Sequence, residues 1–172
     1  DMFAGHFLVQ GLVAAMFKVL KTGEGSHVQT SLMEAMLDFQ FEVLTTYLNN
    51  GRKKPKRSNY NNAHAYLAAP YGIYKTSDGY ISISMTPVPK LGELLKLESI
   101  QHYTDQKTWF TKRDEIKKLI GDLIVTNTTQ NWLDILEPAD VWCSEVLEWD
   151  EMIEHEGFKV IDMLQRIKRF DG

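Results

Sequence analysis

The pattern of apolar side chains at the start of the chain predicts a long buried helix. Residues 4–20 are apolar at nearly every position, and a helix that is apolar on all sides is normally buried on several of them. Gly23 follows as a natural C-terminal cap. His6 and Gln10 interrupt the run, which is shorter than the roughly 20 apolar residues of a membrane span. We therefore interpret it as a core helix and not as a span or a signal peptide.

A second pattern follows directly after this helix. Residues 27–32 alternate between apolar and polar side chains, which predicts a short strand. Ser31 and Glu34 form a capping box ahead of another apolar helix, which we expect to reach Leu48. Helix, strand and helix are typical of an α/β fold, in which a strand needs partner strands. We expect residues 1–50 to be a segment of a large α/β domain and the chain to be a fragment of a longer protein.

Polar and basic residues separate this segment from a second, smaller unit. Residues 51–69 are rich in Asn, Lys and Arg, and such a stretch is a plausible linker between domains. The strand-like residues 70–75 and 80–85 are joined by Ser-Asp-Gly at 77–79, which is a strong hairpin signal. A short helix is expected over residues 90–97.

Helical periodicity dominates the rest of the chain. The pattern predicts four further elements: a helix over residues 111–125, a helix over 129–136, an extended segment over 138–143 and a helix over 148–154. Thr128 is the expected N-terminal cap of the second of these helices. We assign residues 70–157 to a small α+β domain with a β-hairpin and helices. Residues 158–172 are interpreted as the start of a return toward the large domain.

Charge and cysteine content narrow the functional classes. The formal net charge of −4 gives no broad basic field, so we expect no nucleic-acid partner, and the core-helix interpretation implies no membrane partner. Cys143 is the only cysteine, which excludes an intrachain disulfide and a cysteine-rich metal site. A lone cysteine fits the reducing cytoplasm. We expect Cys143 to be buried and inert.

Histidine and tryptophan positions add no separate site. The five histidines are scattered along the chain and show no metal-ligand spacing on one helix face, so no metal cofactor is expected. Aromatic side chains in a small domain usually belong to its core. We predict this for all four tryptophans, namely Trp109, Trp132, Trp142 and Trp149.

Asp1 is the candidate catalytic residue. It immediately precedes the first helix, where backbone N–H groups and the positive end of the helix dipole favour an anion. The alternative is an ordinary helix cap, which contributes about 1 kcal/mol to stability. The chemistry of this single residue leaves both interpretations open.

Several motifs in order resemble a known family. The motifs are Asp-x-x-Ala-Gly at 1–5, a helix ending in Lys-Thr-Gly-Glu-Gly at 21–25, Val-Gln-Thr-Ser-Leu-Met-Glu-Ala at 28–35, Ala-Pro-Tyr-Gly-Ile-Tyr-Lys-Thr-Ser-Asp-Gly-Tyr at 69–80, Arg-Asp-Glu at 113–115 and Trp-Cys-x-x-Val at 142–146. Together they are similar to the middle of the family III CoA-transferases. That family includes the formyl-CoA and carnitine CoA-transferases, with the α-methylacyl-CoA racemases as relatives. The resemblance covers nearly the whole chain.

The resemblance implies a function and a role for Asp1. The aspartate at this position in the transferases is a nucleophile that forms an aspartyl-CoA thioester, and coenzyme A passes from an acyl-CoA to a carboxylate acceptor. The resemblance also implies that residues 1–50 belong to a large nucleotide-fold domain and that two full-length chains form an interlocked homodimer. Most CoA contacts would lie outside this chain, so its CoA-binding residues stay unassigned. The fragment alone is expected to be inactive.

Several alternatives remain open at this point. In the racemases the matching aspartate belongs to an acid–base pair that abstracts the α-proton. A non-catalytic, truncated structural module is a further possibility. The basic run at residues 52–57 is either a contact for CoA phosphates or a solvated linker. The turn Pro70-Tyr71-Gly72 either lines the acyl pocket or only begins the hairpin.

Overall fold

The computed structural model describes residues 1–60 and 64–170 and divides into two compact units. Unit 1 is Asp1–Pro55 and unit 2 is Lys56–Gly172. Residues 61–63 of the predicted linker and residues 171–172 of the predicted return segment lie outside the described residues. The mixed α/β class predicted from the sequence is confirmed, with helices in both units and a small antiparallel sheet in unit 2.

Unit 1 consists of three helices, α1 (Met2–Thr22), α2 (Leu32–Phe39) and α3 (Phe41–Asn49). Gly23 ends α1 in the left-handed conformation with φ 75°, which glycine adopts without steric cost. Its N–H donates to the Val19 carbonyl at 2.8 Å. The predicted C-terminal cap is therefore confirmed.

The strand predicted over residues 27–32 is wrong. The backbone at Ser31 is extended, with φ −127° and ψ 160°, but residues 24–31 pair with no other strand, and α2 begins at Leu32. Unit 1 contains only helices as regular elements, so no neighbouring backbone completes a ladder. The predicted cap at Ser31 is confirmed, because its hydroxyl oxygen accepts a hydrogen bond from the Glu34 N–H at 3.1 Å.

The single helix predicted up to Leu48 is interrupted. Gln40 leaves helical geometry at φ −95° and ψ 12° and separates α2 from α3. Its side-chain amide donates to the Met36 carbonyl at 3.3 Å, and its backbone N–H reaches the same oxygen at 3.2 Å. A side chain that competes for a helical carbonyl favours a helix end.

Unit 2 contains a three-stranded sheet and seven α-helices among the described residues. Its elements are β1 (Gly72–Lys75), β2 (Tyr80–Ile83), α4 (Val88–Leu94), α5 (Glu98–Gln101), α6 (Gln106–Thr111), α7 (Arg113–Ile124), α8 (Thr129–Leu136), a short 3₁₀ turn (Glu137–Ala139), β3 (Cys143–Glu145), α9 (Trp149–Glu154) and α10 (Glu156–Ile161). The predicted helices over 111–125, 129–136 and 148–154 correspond closely to α7, α8 and α9. The Thr128 hydroxyl accepts from the Asn131 N–H at 3.3 Å, which confirms the predicted cap.

The sheet is antiparallel in the order β1-β2-β3. The predicted hairpin is confirmed, with Gly72 opposite Ile83 and Lys75 opposite Tyr80. The third strand was not predicted as a strand, although an extended segment was expected just before it. It pairs Cys143 with Ile83. Three residues are too few to show the alternation that identifies a strand in a sequence.

The core of unit 2 lies between the sheet and its helices. Ile116, Ile120 and Ile124 recur at helical spacing on α7 and are fully buried. The core also contains Tyr74, Ile81, Ile83, Val88, Leu91, Ile100, Trp132 and Leu136. The indole N–H of Trp132 donates to the Ile124 carbonyl at 2.7 Å. The end of α7 is thereby tied to α8.

No residue of α1 is buried in this chain. Of residues 1–55, all of which the structure describes, only Ala35 is buried. The prediction of burial on several sides is therefore wrong for the described residues, because unit 1 offers α1 too little surface to cover it. By length and composition α1 also meets the requirements for a membrane span, as core helices of soluble proteins do.

The core packing predicts the effect of one substitution in unit 2. Ile120→Ala removes three carbons from a fully buried site and should lower the free energy of unfolding by about 2–5 kcal/mol. Urea denaturation followed by far-UV circular dichroism measures this. Ile161→Ala is the matched control, since Ile161 is 62% exposed, and should change stability by less than about 0.5 kcal/mol. Equal losses in the two variants would contradict this account of the core.

Candidate functional site

Asp1 occupies the N-cap position of α1 with an exposed side chain. Its backbone carbonyl accepts the first helical hydrogen bond, from the Gly5 N–H at 3.0 Å. Its carboxylate makes no capping hydrogen bond among the described residues, so the ordinary cap does not describe this side chain. The carboxylate is solvent-accessible at the positive end of a 21-residue helix.

His6 is the histidine closest to Asp1 in the sequence, one turn into α1. Its Nδ1 donates to the Met2 carbonyl at 2.8 Å. The bond holds the ring against its own helix. Phe3 lies on the same turn, and its ring centroid is 4.5 Å from that of Phe39 on α2.

A cavity of about 400 Å³ lies within unit 1 between α1, residues 28–30 and α2. Gly11 allows the close approach, because a Cβ atom there would lie 2.7 Å from Cγ1 of Val28. Glu34 and Asp38 line the cavity from α2.

The hairpin of unit 2 is anchored through Asp78. The Asp78 carboxylate accepts hydrogen bonds from the Thr129 N–H at 2.8 Å and the Thr129 hydroxyl at 3.0 Å. The hydroxyl of Thr76 also donates to it at 3.0 Å. The backbone hydrogen bond from Thr129 is the main reason that the pKa of Asp78 is lowered. These contacts fix the β1–β2 turn on the first turn of α8.

An apolar groove of about 300 Å³ lies beside this hairpin in unit 2. Its walls are residues 67–71, residues 85–87 and Trp109, and none of the described residues that line it carries a charged side chain. The Ala69 N–H donates to the Trp109 carbonyl at 2.9 Å and ties two walls together. Pro70, joined to Ala69 by a cis peptide, and Tyr71 line the groove just before β1. The Pro70-Tyr71-Gly72 segment therefore both begins the hairpin and borders the groove.

Two residues that line this groove, Tyr71 and Thr86, carry hydroxyl groups. Thr86 is only 6% exposed and lines the cavity. Its hydroxyl has no hydrogen-bond partner among residues 1–60 and 64–170, and it is not among the fully enclosed unpaired atoms. A largely buried hydroxyl without a protein partner retains capacity for a ligand. Sequence analysis missed Thr86, because the walls come from three separate segments.

A polar cluster holds the first residues of unit 2 on α7. Arg113 is buried, and its Nη1 donates to the Ala65 carbonyl at 2.8 Å while its Nη2 donates to the Lys56 carbonyl. The Asp114 carboxylate accepts from the Asn59 N–H at 2.7 Å. The predicted linker thus packs against α7 over part of its length.

Lys117 lies in the same region and is 1% exposed. Burial, reinforced by the positive charge of Arg113, lowers the pKa of its amine to about 8. Sequence analysis missed Lys117, although the residue follows Ile116 on the buried face of α7.

The remaining predicted site residues have varied outcomes. The basic run at residues 52–57 is exposed throughout. Cys143 is half-buried, and burial raises the pKa of its thiol, which keeps it protonated and unreactive. The described residues contain no group of three or more His, Cys, Asp or Glu side chains able to hold a metal.

The prediction for the tryptophans is right for two and wrong for two. Trp132 is buried in the core and Trp109 packs against it. Trp142 is 64% exposed and Trp149 is 77% exposed. Trp142 flanks the outer strand β3 and Trp149 begins α9, and the described residues of unit 2 leave both rings largely exposed.

The comparisons with known proteins agree on one family. A family model described as CoA-transferase family III matches residues 1–172. An acyl-CoA transferase from Fusarium pseudograminearum is 24% identical over 170 residues, covering 95% of this chain and 36% of that protein. Human succinyl-CoA:glutarate CoA-transferase is 24% identical over 147 residues, covering 82% of this chain and 33% of that protein.

Solved structures support the fold. Rv3272 from M. tuberculosis aligns with a TM-score of 0.75 at 21% identity, over 97% of this chain and 44% of that one. A CAIB/BAIF family protein from Brucella suis aligns with a TM-score of 0.68 at 22% identity, over 94% of this chain and 43% of that one. The chain thus spans about a third of the length of the curated relatives it matches.

The buried amine of Lys117 predicts a pH dependence of stability. Its pKa is about 8 in the folded chain and about 10.4 when unfolded, so between these values the unfolded chain binds more protons. The contribution of the Lys117 amine to the free energy of unfolding should therefore rise with pH between about 8 and about 10.4. The difference in unfolding free energy between the wild type and Lys117→Met should shift in favour of the wild type between pH ~8 and pH ~10.

The matched control for this measurement is Lys107→Met, at an exposed lysine. Its unfolding free energy should run parallel to that of the wild type at every pH. Parallel curves for Lys117→Met as well would show that the folded state does not perturb the Lys117 amine.

Proposed function

The chain belongs to CoA-transferase family III, and we propose that the protein containing it moves coenzyme A from an acyl-CoA thioester to a carboxylate acceptor with Asp1 as the nucleophile. The observation that carries this proposal is the match of the CoA-transferase family III model to residues 1–172, together with the N-cap position of Asp1 at the start of α1. A carboxylate nucleophile must be accessible and must not be engaged by a strong partner.

The proposed reaction needs no redox step and no net proton transfer. An Asp1 oxygen attacks the thioester carbonyl carbon, the C–S bond breaks, and a mixed anhydride and CoA thiolate form. The thiolate attacks the Asp1 carbonyl carbon of the anhydride, giving an aspartyl-CoA thioester and the first free carboxylate. The acceptor carboxylate then attacks this thioester and releases the thiolate again. Attack of the thiolate on the acceptor acyl carbon gives the new acyl-CoA and restores Asp1.

The position of Asp1 suits these steps electrostatically. Each step either forms or releases an anion at the Asp1 carboxyl group. The unpaired N–H groups and positive dipole at the start of α1 stabilise negative charge there. A position at the N-terminus of a helix therefore favours the departure of the Asp1 carboxylate in the step that releases it.

We further propose that this chain works only as part of a longer polypeptide in an interlocked homodimer. Support comes from its coverage of about a third of the curated relatives and from the exposed apolar side chains on every side of α1. Such a surface is unusual unless another element covers it. The cytoplasm is our proposed location, supported by the single cysteine.

The racemase alternative requires a base that removes the proton α to the thioester. The two reactions are separated by incubating the enzyme with acyl-CoA in D₂O without an acceptor. A transferase incorporates no deuterium at the α-carbon, and a racemase does.

A trapping experiment tests the nucleophile. The polypeptide that contains this chain is mixed with acyl-CoA and then with hydroxylamine, which should convert Asp1 to its hydroxamate, detected by peptide mass spectrometry. Asp1→Ala should lose trapping and lower turnover by about 10³-fold or more, because the covalent route is gone.

The control variant is Asp150→Ala, at an exposed carboxylate in the first turn of α9. It should keep both trapping and turnover. An unmodified Asp1 together with full turnover in Asp1→Ala would refute the proposed role.

A further inference from the structure

One face of α1 is turned toward α2 within unit 1. The half-buried residues of α1 are Ala4, Phe7, Gly11 and Ala15, which recur at helical spacing and therefore share one face. Phe7 and Gly11 line the cavity of unit 1 together with Ala35, the buried residue of α2. The position of α1 in unit 1 is therefore set along this face.

Phe39 extends the contact between the helices to the first turn of α1. It lies one turn after Ala35 and so on the same face of α2. Its ring centroid is 4.5 Å from that of Phe3, and the two ring planes are 34° apart. An aromatic pair at this distance is attracted beyond the area that it buries. Phe3 lies only two residues after Asp1, so the contact acts close to the carboxylate.

The first turn of α1 lacks the features that usually stabilise the beginning of a helix. The Asp1 side chain makes no capping hydrogen bond, and the turn contains no acidic residue. A Cβ atom at Gly5 would have no atom within 4 Å among the described residues. His6 bonds to the Met2 carbonyl, but both residues belong to α1. The contact between the Phe3 and Phe39 rings therefore opposes the opening of an uncapped turn.

We propose that Phe39 is a positioning residue for Asp1, and that its contact with Phe3 keeps the first turn of α1 closed. The inference rests on the proposed transferase function for the reaction that Asp1 performs. In that reaction the carboxylate attacks one carbonyl carbon and later departs, and attack needs a defined position of the reacting atoms. Opening of the turn would move Asp1 away from the aligned N–H groups of α1.

Hydrogen exchange in the chain itself measures the opening of this turn. The Gly5 N–H donates to the Asp1 carbonyl at 3.0 Å, so its exchange rate reports whether Asp1 is joined to the helix. In Phe39→Ala the Gly5 amide should exchange about three- to tenfold faster, as expected for a lost aromatic pair. The Gly23 amide, which donates to the Val19 carbonyl at the other end of α1, should exchange at the wild-type rate.

Three further variants separate the ring contact from general damage to unit 1. Phe39→Tyr keeps the ring, and its added hydroxyl can reach water because Phe39 is 61% exposed, so Gly5 should exchange as in the wild type. Phe41→Ala removes a similarly exposed ring of α3 that has no ring partner in the described part of the chain, and should also leave Gly5 unchanged. Phe3→Ala should match Phe39→Ala, and the double variant should exchange no faster than either.

Trapping in the polypeptide that contains this chain tests the consequence for Asp1. At saturating acyl-CoA, Phe39→Ala should lower the single-turnover rate of hydroxamate formation about 10- to 100-fold, as a small misplacement of a reacting group does. The acyl-CoA concentration that gives half of the maximal rate should stay within about twofold, because Phe39 is not proposed to contact the substrate. Phe39→Tyr should restore the rate, and Phe41→Ala should not lower it.

An unchanged Gly5 exchange rate in Phe39→Ala would overturn the inference. Equal losses of the trapping rate in Phe39→Ala and Phe41→Ala would also overturn it, because they would indicate general destabilisation of unit 1. Faster Gly5 exchange with an unchanged trapping rate would show that Asp1 reacts equally well from an open turn and would reject the positioning role. A wild type with a protected Gly5 amide but no hydroxamate would instead reject the transferase chemistry, and the exchange results would still establish the contact of Phe39 with the first turn.

Discussion

The packing of α7 against the sheet is the interaction on which the rest of unit 2 depends. Ile116, Ile120 and Ile124 are fully buried on one face of this helix, and α7 contacts β1 directly. Burying an isoleucine side chain contributes about 1.5–3 kcal/mol, so this stripe supplies a large part of the net stability of a small domain. The same helix holds Lys56 and Ala65 through Arg113, and the Ile124 carbonyl accepts a hydrogen bond from the Trp132 indole. Trp109, which lines the apolar groove, lies in α6 directly before this helix.

The sequence predicted those features whose cause is contained within a few neighbouring residues. Gly23 ends α1 because only glycine adopts φ 75° freely, and no distant contact is needed. The β1–β2 turn is likewise specified locally by Asp78 and Gly79, although the hydrogen bonds from Thr129 to Asp78 come from a distant segment. The stripe of α7 was predicted because helical periodicity and burial coincide there. Local chemistry and tertiary packing agree at these positions, and prediction succeeds where they agree.

Prediction failed where a distant or additional partner determines the structure. Residues 27–32 have the alternation of a strand, but a strand exists only when another backbone pairs with it. Trp142 and Trp149 have large aromatic side chains of the kind that usually lie in a domain core. Both rings are nevertheless exposed, because the described residues of unit 2 do not cover them. The apolar groove was not predicted for the same reason, because three separate segments form its walls, namely residues 67–71, 85–87 and 109. Asp1 was identified because several motifs occur in the same order as in a known family. Its own chemistry did not identify it, because an aspartate that only caps a helix would look the same in the sequence.

The two units differ in how far their own side chains bury their apolar surface. Unit 2 encloses a core under α7, whereas among residues 1–55 only Ala35 is buried and α1 presents apolar side chains on every side. Exposed apolar surface of this extent is unusual unless another element covers it. The proposed longer polypeptide therefore bears more directly on the stability of unit 1 than on that of unit 2, whose core is complete enough to bury the isoleucines of α7.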